Sequence, residues 1–196
     1  KSPIFCYSKR RKIYKNNEII YNPPGLNKEK LFGENVSKFL IKGNIKRKYL
    51  GSYASCTLMG LKKDFKFCEC FDEEFRRSED TEFAVRAGLK GAHFVGVNKV
   101  LVIQQMTFGD HKGLSSEFEF IKRMLKKHRN IFNNKREYKS ELIWVNLKYS
   151  LLKKEFYKSL RNILRLLLIN PLYFFVKTFQ AIPNITYNLN IFNNEK

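Results

Sequence analysis

A chain of 196 residues is long enough to bury one hydrophobic core, and 43% hydrophobic with 15% aromatic content excludes a disordered tail. The net charge of +20 sits on the flanks: residues 1–50 carry 13 Lys and Arg against 3 Glu, residues 51–115 carry 9 against 9, and residues 116–196 carry 16 against 6. A nucleic-acid binder concentrates basic residues on its recognition face, whereas here the best candidate site lies in the neutral middle, so nucleic acid is disfavoured. Basic flanks fit an anionic membrane surface or an anionic acceptor better.

In chain order, Pro3 to Tyr7 reads as a short buried strand and Lys9 to Lys12 as a solvated turn. Ile13-Tyr14 and Ile19 to Tyr21 bracket a polar turn and predict a hairpin. Asn22-Pro-Pro-Gly25 ends it, and a helix is expected within Lys30 to Ile41, before a basic loop. Gly51 to Gly60 mixes small, polar and apolar residues. It reads equally as a core strand and as a backbone that a ligand approaches closely, with Ser52, Ser55 and Thr57 able to hydrogen-bond sugar hydroxyls.

The most informative stretch is Phe71 to Gly91, a loop running into a helix. Ser78 is placed to cap it, and Glu79, Asp80 and Glu82 put negative charge in the first turn, where the helix dipole favours it. Phe83, Ala84 and Ala87 form a narrow apolar face, Arg86 lies four residues after Glu82, and Gly88 and Gly91 offer C-terminal stops. Two strands follow, Ala92 to Val97 and Lys99 to Gln104, then a loop, Gly109 to Gly113, with Asp110, His111 and Lys112.

Ser116-x-x-Glu119 reads as a capping box opening a helix that runs to about Asn130, and Ile131 to Lys139 as an Asn- and Lys-rich break. Residues 140–180 show apolar residues at helical spacing among Lys and Arg. The apolar run Leu166 to Val176 is 11 residues long and interrupted by Asn170-Pro171, too short to span a bilayer, so it reads as a basic helix lying in a membrane interface or folded onto its domain. The four cysteines, Cys6, Cys56, Cys68 and Cys70, form no zinc-ligand set and read as reduced, mostly buried thiols of a cytosolic protein.

The ordered set Ser55 to Gly60, Cys70-Phe-Asp-Glu73, Ser78-Glu-Asp80, Arg86 and Gly91 resembles the acceptor side of family 2 glycosyltransferases with the GT-A fold, over roughly residues 50–130. The resemblance implies an α/β fold, the C-terminal part of a GT-A domain over residues 1–135, with a basic amphipathic helical tail over 136–196. The implied reaction moves a sugar from a nucleotide-sugar donor to a hydroxyl of a glycan or lipid-linked acceptor with inversion, in surface polysaccharide or glycan synthesis. Asp80 is expected as the general base, with Glu79, Asp72, Ser55 and Thr57 at the acceptor and His111 or Lys112 closing over the leaving diphosphate. The implied location is cytoplasmic, peripheral at the inner face of the cell membrane.

Two positions depart from the family pattern: Cys70 stands where the family has Gly, and Gln104 and Gln105 where many members place His. Asp64, Asp72, Asp80 and Asp110 form no Asp-x-Asp set, so the divalent metal (Mg or Mn) and the nucleotide are expected to be held by residues upstream of Lys1. The competing readings are a basic module for nucleic acid or another anionic polymer, using Tyr7 to Tyr21 with its Lys and Arg, and a non-catalytic membrane scaffold.

Overall fold

A computed structural model describes residues 2–14, 17–26, 31–43, 50–105 and 114–181. The chain divides into two compact units, Lys1–Gly113 and Leu114–Lys196.

The first unit is a mixed α/β structure built on β1 (Ile4–Ile13). β1 pairs in parallel with β5 (His93–Gln105) and antiparallel with β2 (Glu18–Tyr21) and β4 (Leu58–Gly60), while β3 (Leu31–Phe32) lies antiparallel on the far side of β5. Side chains alternate along β1 with period two, so Phe5 and Tyr7 are fully buried while Ile4 is exposed. The expected hairpin forms, with Arg10 opposite Tyr21 and Ile13 opposite Glu18.

Three expectations need correction here. Lys9 to Lys12 is not a turn but the continuation of β1. It contains no Gly, Pro, Asn or Asp to reverse the chain, and Arg10 is held in the sheet by Gln104 Oε1 at 2.8 Å. The two strands after Gly91 are one, β5, and the irregularity near Asn98 is absorbed by register shifts against Ser8, Lys9 and Arg10. Gly51 to Gly60 is strand only at β4, and Ser55–Thr57 form a 3-10 turn.

Helix α1 (Glu34–Lys42) begins within the stretch expected to be helical and runs one residue past its end at Ile41, and α2 (Lys62–Phe67) follows β4. Helix α3 (Glu79–Leu89) packs on α1. Gly88 is not its stop but its contact point, since a side chain there would collide with Ser37 Oγ and approach the Gly33 carbonyl. Gly91, at φ +77, makes the left-handed turn into β5 that a Cβ would strain. The core is aromatic: the Phe83 ring meets Phe71, Phe5 and Phe65 at 4.9, 5.1 and 5.4 Å between centroids.

The second unit is helical. Helix α4 (Leu114–Lys127) already includes Ser116 and Glu119, so these do not cap it, and Glu119 instead pairs with Lys122 at 2.9 Å. The capping box lies further on, inside the expected break: Asn134 Oδ1 accepts from the Glu137 backbone N–H, and Glu137 Oε2 accepts from that of Asn133, both at 2.9 Å. It opens α5 (Lys135–Leu152), followed by α6 (Phe156–Ile169) and by α7, residues 171–181. Asn170 Oδ1 accepts from the Tyr173 N–H and Pro171 occupies the first helical position, so the Asn-Pro break in the apolar run is a helix start. Ile143, Trp144, Leu147 and Leu166 form the core of this unit. Among the described residues no helix is long and apolar enough to cross a membrane.

Gly88→Val should destabilise the first unit by about 1–3 kcal/mol through overpacking, read as a lower denaturation midpoint. An unchanged midpoint would show that α1 and α3 do not depend on this close approach.

Candidate functional site

The candidate site gathers at the start of α3 and the loop before it. The Glu82–Arg86 pair expected from i, i+4 spacing is present, with Arg86 Nη2 at 2.8 Å from Glu82 Oε2, and both side chains are buried. Burial opposes the Arg86 charge, but the Glu82 hydrogen bonds and carboxylate outweigh it and push its pKa up, helped by Glu69 and Asp72. The same guanidinium donates to the Cys70 carbonyl at 2.7 Å and to the Cys68 carbonyl. Arg86 therefore ties the 68–72 loop onto α3.

That loop needs tying. Glu69 and Cys70 sit at φ +63 and +51, left-handed backbone that costs a residue with a Cβ about 1 kcal/mol or more. A glycine at position 70 would carry no such cost. Lys90 adds two clamps, to Glu69 Oε1 at 2.7 Å and to the Phe67 carbonyl at 2.9 Å. Phe71 then lies on Phe83, and Asp72 Oδ1 accepts from the Glu74 N–H at 2.9 Å, closing an Asx turn.

Asp80 is half-buried in the first turn of α3. Its Oδ1 accepts from the Thr81 backbone N–H at 2.7 Å and from the Thr81 hydroxyl at 3.3 Å, which fixes the carboxylate plane. No recorded hydrogen bond among the described residues uses Oδ2. Ser78 occupies the N-cap position as expected, but at φ +59 its side chain makes no capping bond. Burial pushes the Glu79 carboxyl above its ordinary range; its own backbone N–H opposes this, the adjacent Asp80 adds to it, and Arg77 opposes it.

Tyr7, expected only as a strand residue, carries a polar group in the same unit. The Tyr7 hydroxyl is buried and has no hydrogen-bond partner among the described residues. Burial, then Tyr53, then the Asp80 carboxylate push its pKa up, which places Tyr7 and Asp80 in one electrostatic neighbourhood. The Tyr7 and Tyr53 rings pack edge to face at 5.6 Å. The only sequence signal for this was the alternation of Phe5 and Tyr7 along β1.

The remaining candidates separate. Thr57 is buried and its hydroxyl donates to the Ala54 carbonyl at 2.9 Å, while Ser55 is exposed on the same turn. His111 and Lys112 lie outside the described residues. At the β5 position where the family pattern has His, Gln104 holds Arg10, whose guanidinium also reaches Ser52 Oγ at 3.2 Å and lies over the Tyr21 ring at 5.0 Å. Arg10 was hidden in the sequence because it sits in a basic run. The thiols are less buried than expected: Cys68 is buried and Cys6 half-buried, but Cys56 and Cys70 are exposed. Among the described residues no group of three or more His, Cys, Asp or Glu could hold a metal ion.

Comparison of the chain with protein-family models, with curated proteins and with solved structures finds no match in any of the three.

Arg86→Met should cost about 3–5 kcal/mol, because it leaves the Glu82 carboxylate buried and unpaired. Arg86→Lys should recover only part of this, since an ammonium cannot reproduce the planar fork that serves Glu82 and two carbonyls together. Tyr7→Phe should do the opposite and stabilise by about 1–3 kcal/mol, by removing a buried hydroxyl that lacks a partner. Denaturant titration of the three variants measures both effects.

Proposed function

We propose that this chain carries the acceptor side of an inverting glycosyltransferase of the GT-A kind, moving a sugar from a nucleotide-sugar donor to a hydroxyl of a glycan or lipid-linked acceptor. The observation that carries the reading is Asp80: a half-buried carboxylate whose charge acts on the buried Tyr7 hydroxyl, with one oxygen fixed by Thr81 and the other without a hydrogen bond among the described residues. A base must be oriented before the reaction and must keep a lone pair for the incoming proton. Asp80 Oδ2 takes the proton from the acceptor hydroxyl as that oxygen bonds to the anomeric carbon. The anomeric C–O bond breaks on the opposite face, and its electron pair leaves with the diphosphate, so the configuration inverts. Glu79 adjoins Asp80 in the same helix turn, and Asp72, Ser55 and Thr57 are the further candidates as contacts for acceptor hydroxyls. A divalent metal, held by residues outside this chain, would neutralise the leaving diphosphate. His111 and Lys112 remain candidates for contacting that group, and Arg10 is a further cation within the described residues.

In a protein that includes the nucleotide-binding residues, Asp80→Asn should lower turnover about 10²- to 10⁴-fold with little change in donor affinity or melting temperature, because asparagine still accepts from Thr81. Retention of more than about a tenth of the turnover, outside that range, removes Asp80 from the role of base. The 196-residue chain alone should show little heat with uridine diphosphate and manganese. Micromolar, metal-dependent binding would mean that this chain holds the donor site itself.

One observation favours the anionic-polymer reading. The β1–β2 hairpin sets Arg10, Lys12, Tyr14 and Tyr21 together, with Lys12 Nζ 5.3 Å from the Tyr14 ring. The two tyrosine hydroxyls already contact each other at 3.3 Å and the rings already carry the chain's own cations, so stacking a base would have to displace them. Failure of single-stranded RNA to bind at moderate salt sets this reading aside.

A further inference from the structure

The second unit combines its apolar core with a buried polar cluster and an apolar outer face. Its interior holds the Glu141–Lys177 ion pair at 2.7 Å, with both side chains buried, and Tyr173 donates its hydroxyl to the same carboxylate. Ser159 donates to Ser150 at 3.0 Å, and Asn162 is buried beside them on α6. The outer surface holds the hydrocarbon. On α6, Phe156, Tyr157, Leu160, Leu164 and Leu168 are 52–85% exposed. On α7, Leu172, Phe175, Val176 and Phe179 are exposed at spacing i, i+3, i+4 and i+7, the pattern by which a helix normally meets a core.

Such a face needs an occupant, and charge says which. At 100° per residue the exposed apolar residues of α6 span an arc of about 120°, and Lys158, Arg161 and Arg165 fill the arc of about 60° beside it. Exposed Lys153 and Lys154 precede the helix, and Glu155 is the only acidic residue between Lys153 and Lys177. A hydrocarbon stripe bordered by cations suits the boundary between acyl chains and anionic headgroups. Length sets the depth: the 14 residues of α6 extend about 21 Å against a hydrocarbon core of about 30 Å, and no described helix can cross.

We infer that α6 and α7 seat this protein on an anionic lipid bilayer, lying in the interface with the apolar arc immersed and the cations against the headgroups. This stands on the second unit alone and does not require glycosyl transfer. The apolar core of Ile143, Trp144, Leu147 and Leu166, with the ion pair and hydroxyls, holds these helices together, so the exposed Leu and Phe side chains of the outer arc are left for the lipid.

The test is co-sedimentation of the full 196-residue chain with vesicles of phosphatidylcholine containing phosphatidylglycerol, and with phosphatidylcholine alone. The anionic vesicles should carry the protein down, and added salt should weaken but not abolish this. Because the net charge of +20 would by itself draw any such protein to anionic lipid, the deciding variant leaves charge unchanged. Leu164→Gln with Leu168→Gln should reduce partitioning at least about tenfold, while both residues are exposed and circular dichroism should be unaltered. Arg161→Gln and Arg165→Gln should each cost about fivefold at low salt. Equal partitioning of the double-leucine variant and the parent overturns the inference, since binding would then be charge alone. So does a parent that stays in the supernatant, or one that forms a dimer lost in the double-leucine variant and binds no vesicles, in which case the apolar arc is a protein interface.

Discussion

One guanidinium joins the parts of the first unit that matter for chemistry. Arg86 is buried with Glu82, and its remaining N–H groups reach two carbonyls of a loop that could not hold its own shape. Two consecutive residues of that loop have left-handed backbone with side chains attached, and their strain is offset by charge-assisted hydrogen bonds from Arg86. A buried ion pair is poor evidence of net stabilisation when compared with a hydrocarbon pair of equal size. Its value here is geometric, because a planar fork fixes the loop in both distance and direction, which a leucine could not.

From that constraint the rest of the site follows by packing. With the loop fixed, Phe71 closes over Phe83, and Phe83 in turn meets Phe5 of β1 and Phe65 of α2. Phe83 thereby fixes α3 against β1 through Phe5, and the Asp80 charge acts on Tyr7. An aromatic cluster suits this task, since rings packed at edges and offsets resist sliding more than branched aliphatic side chains do.

The legible parts of the sequence were those governed by local spacing. Glu82 and Arg86, the hairpin, and the helical character of residues 140–180 are all matters of i, i+4 or alternating periodicity. What was not legible depended on partners far along the chain. Arg10 looked like part of a solvated basic turn because its partner Gln104 is 94 positions away. Tyr7 looked like any strand residue because nothing local says which helix covers it. Capping shows the limit even of local rules: Ser116-x-x-Glu119 and Asn134-x-x-Glu137 fit the same pattern, and only the second begins a helix. In the tail, amphipathicity was visible, but which face turned inward depended on distant partners, such as the Glu141–Lys177 pair, 36 residues apart in sequence and in contact only after folding.

The parallel pairing of β1 with β5 sets the order in which this unit assembles. Ile4 pairs beside His93, and the strands between them are short or lie at the edge. Closing a loop of about 90 residues costs entropy before any contact repays it, so such pairings form late and slowly. Helix α3 and its clamped loop are local in sequence and can gather first around Phe65, Phe71 and Phe83. The side of the site that comes from β1, Tyr7 and Arg10, arrives only when the last strand docks. A chain trapped short of that step would keep most of its helix yet lack Tyr7 and Arg10 in their places, so native helicity alone would be a poor measure of how much of a preparation has a finished site.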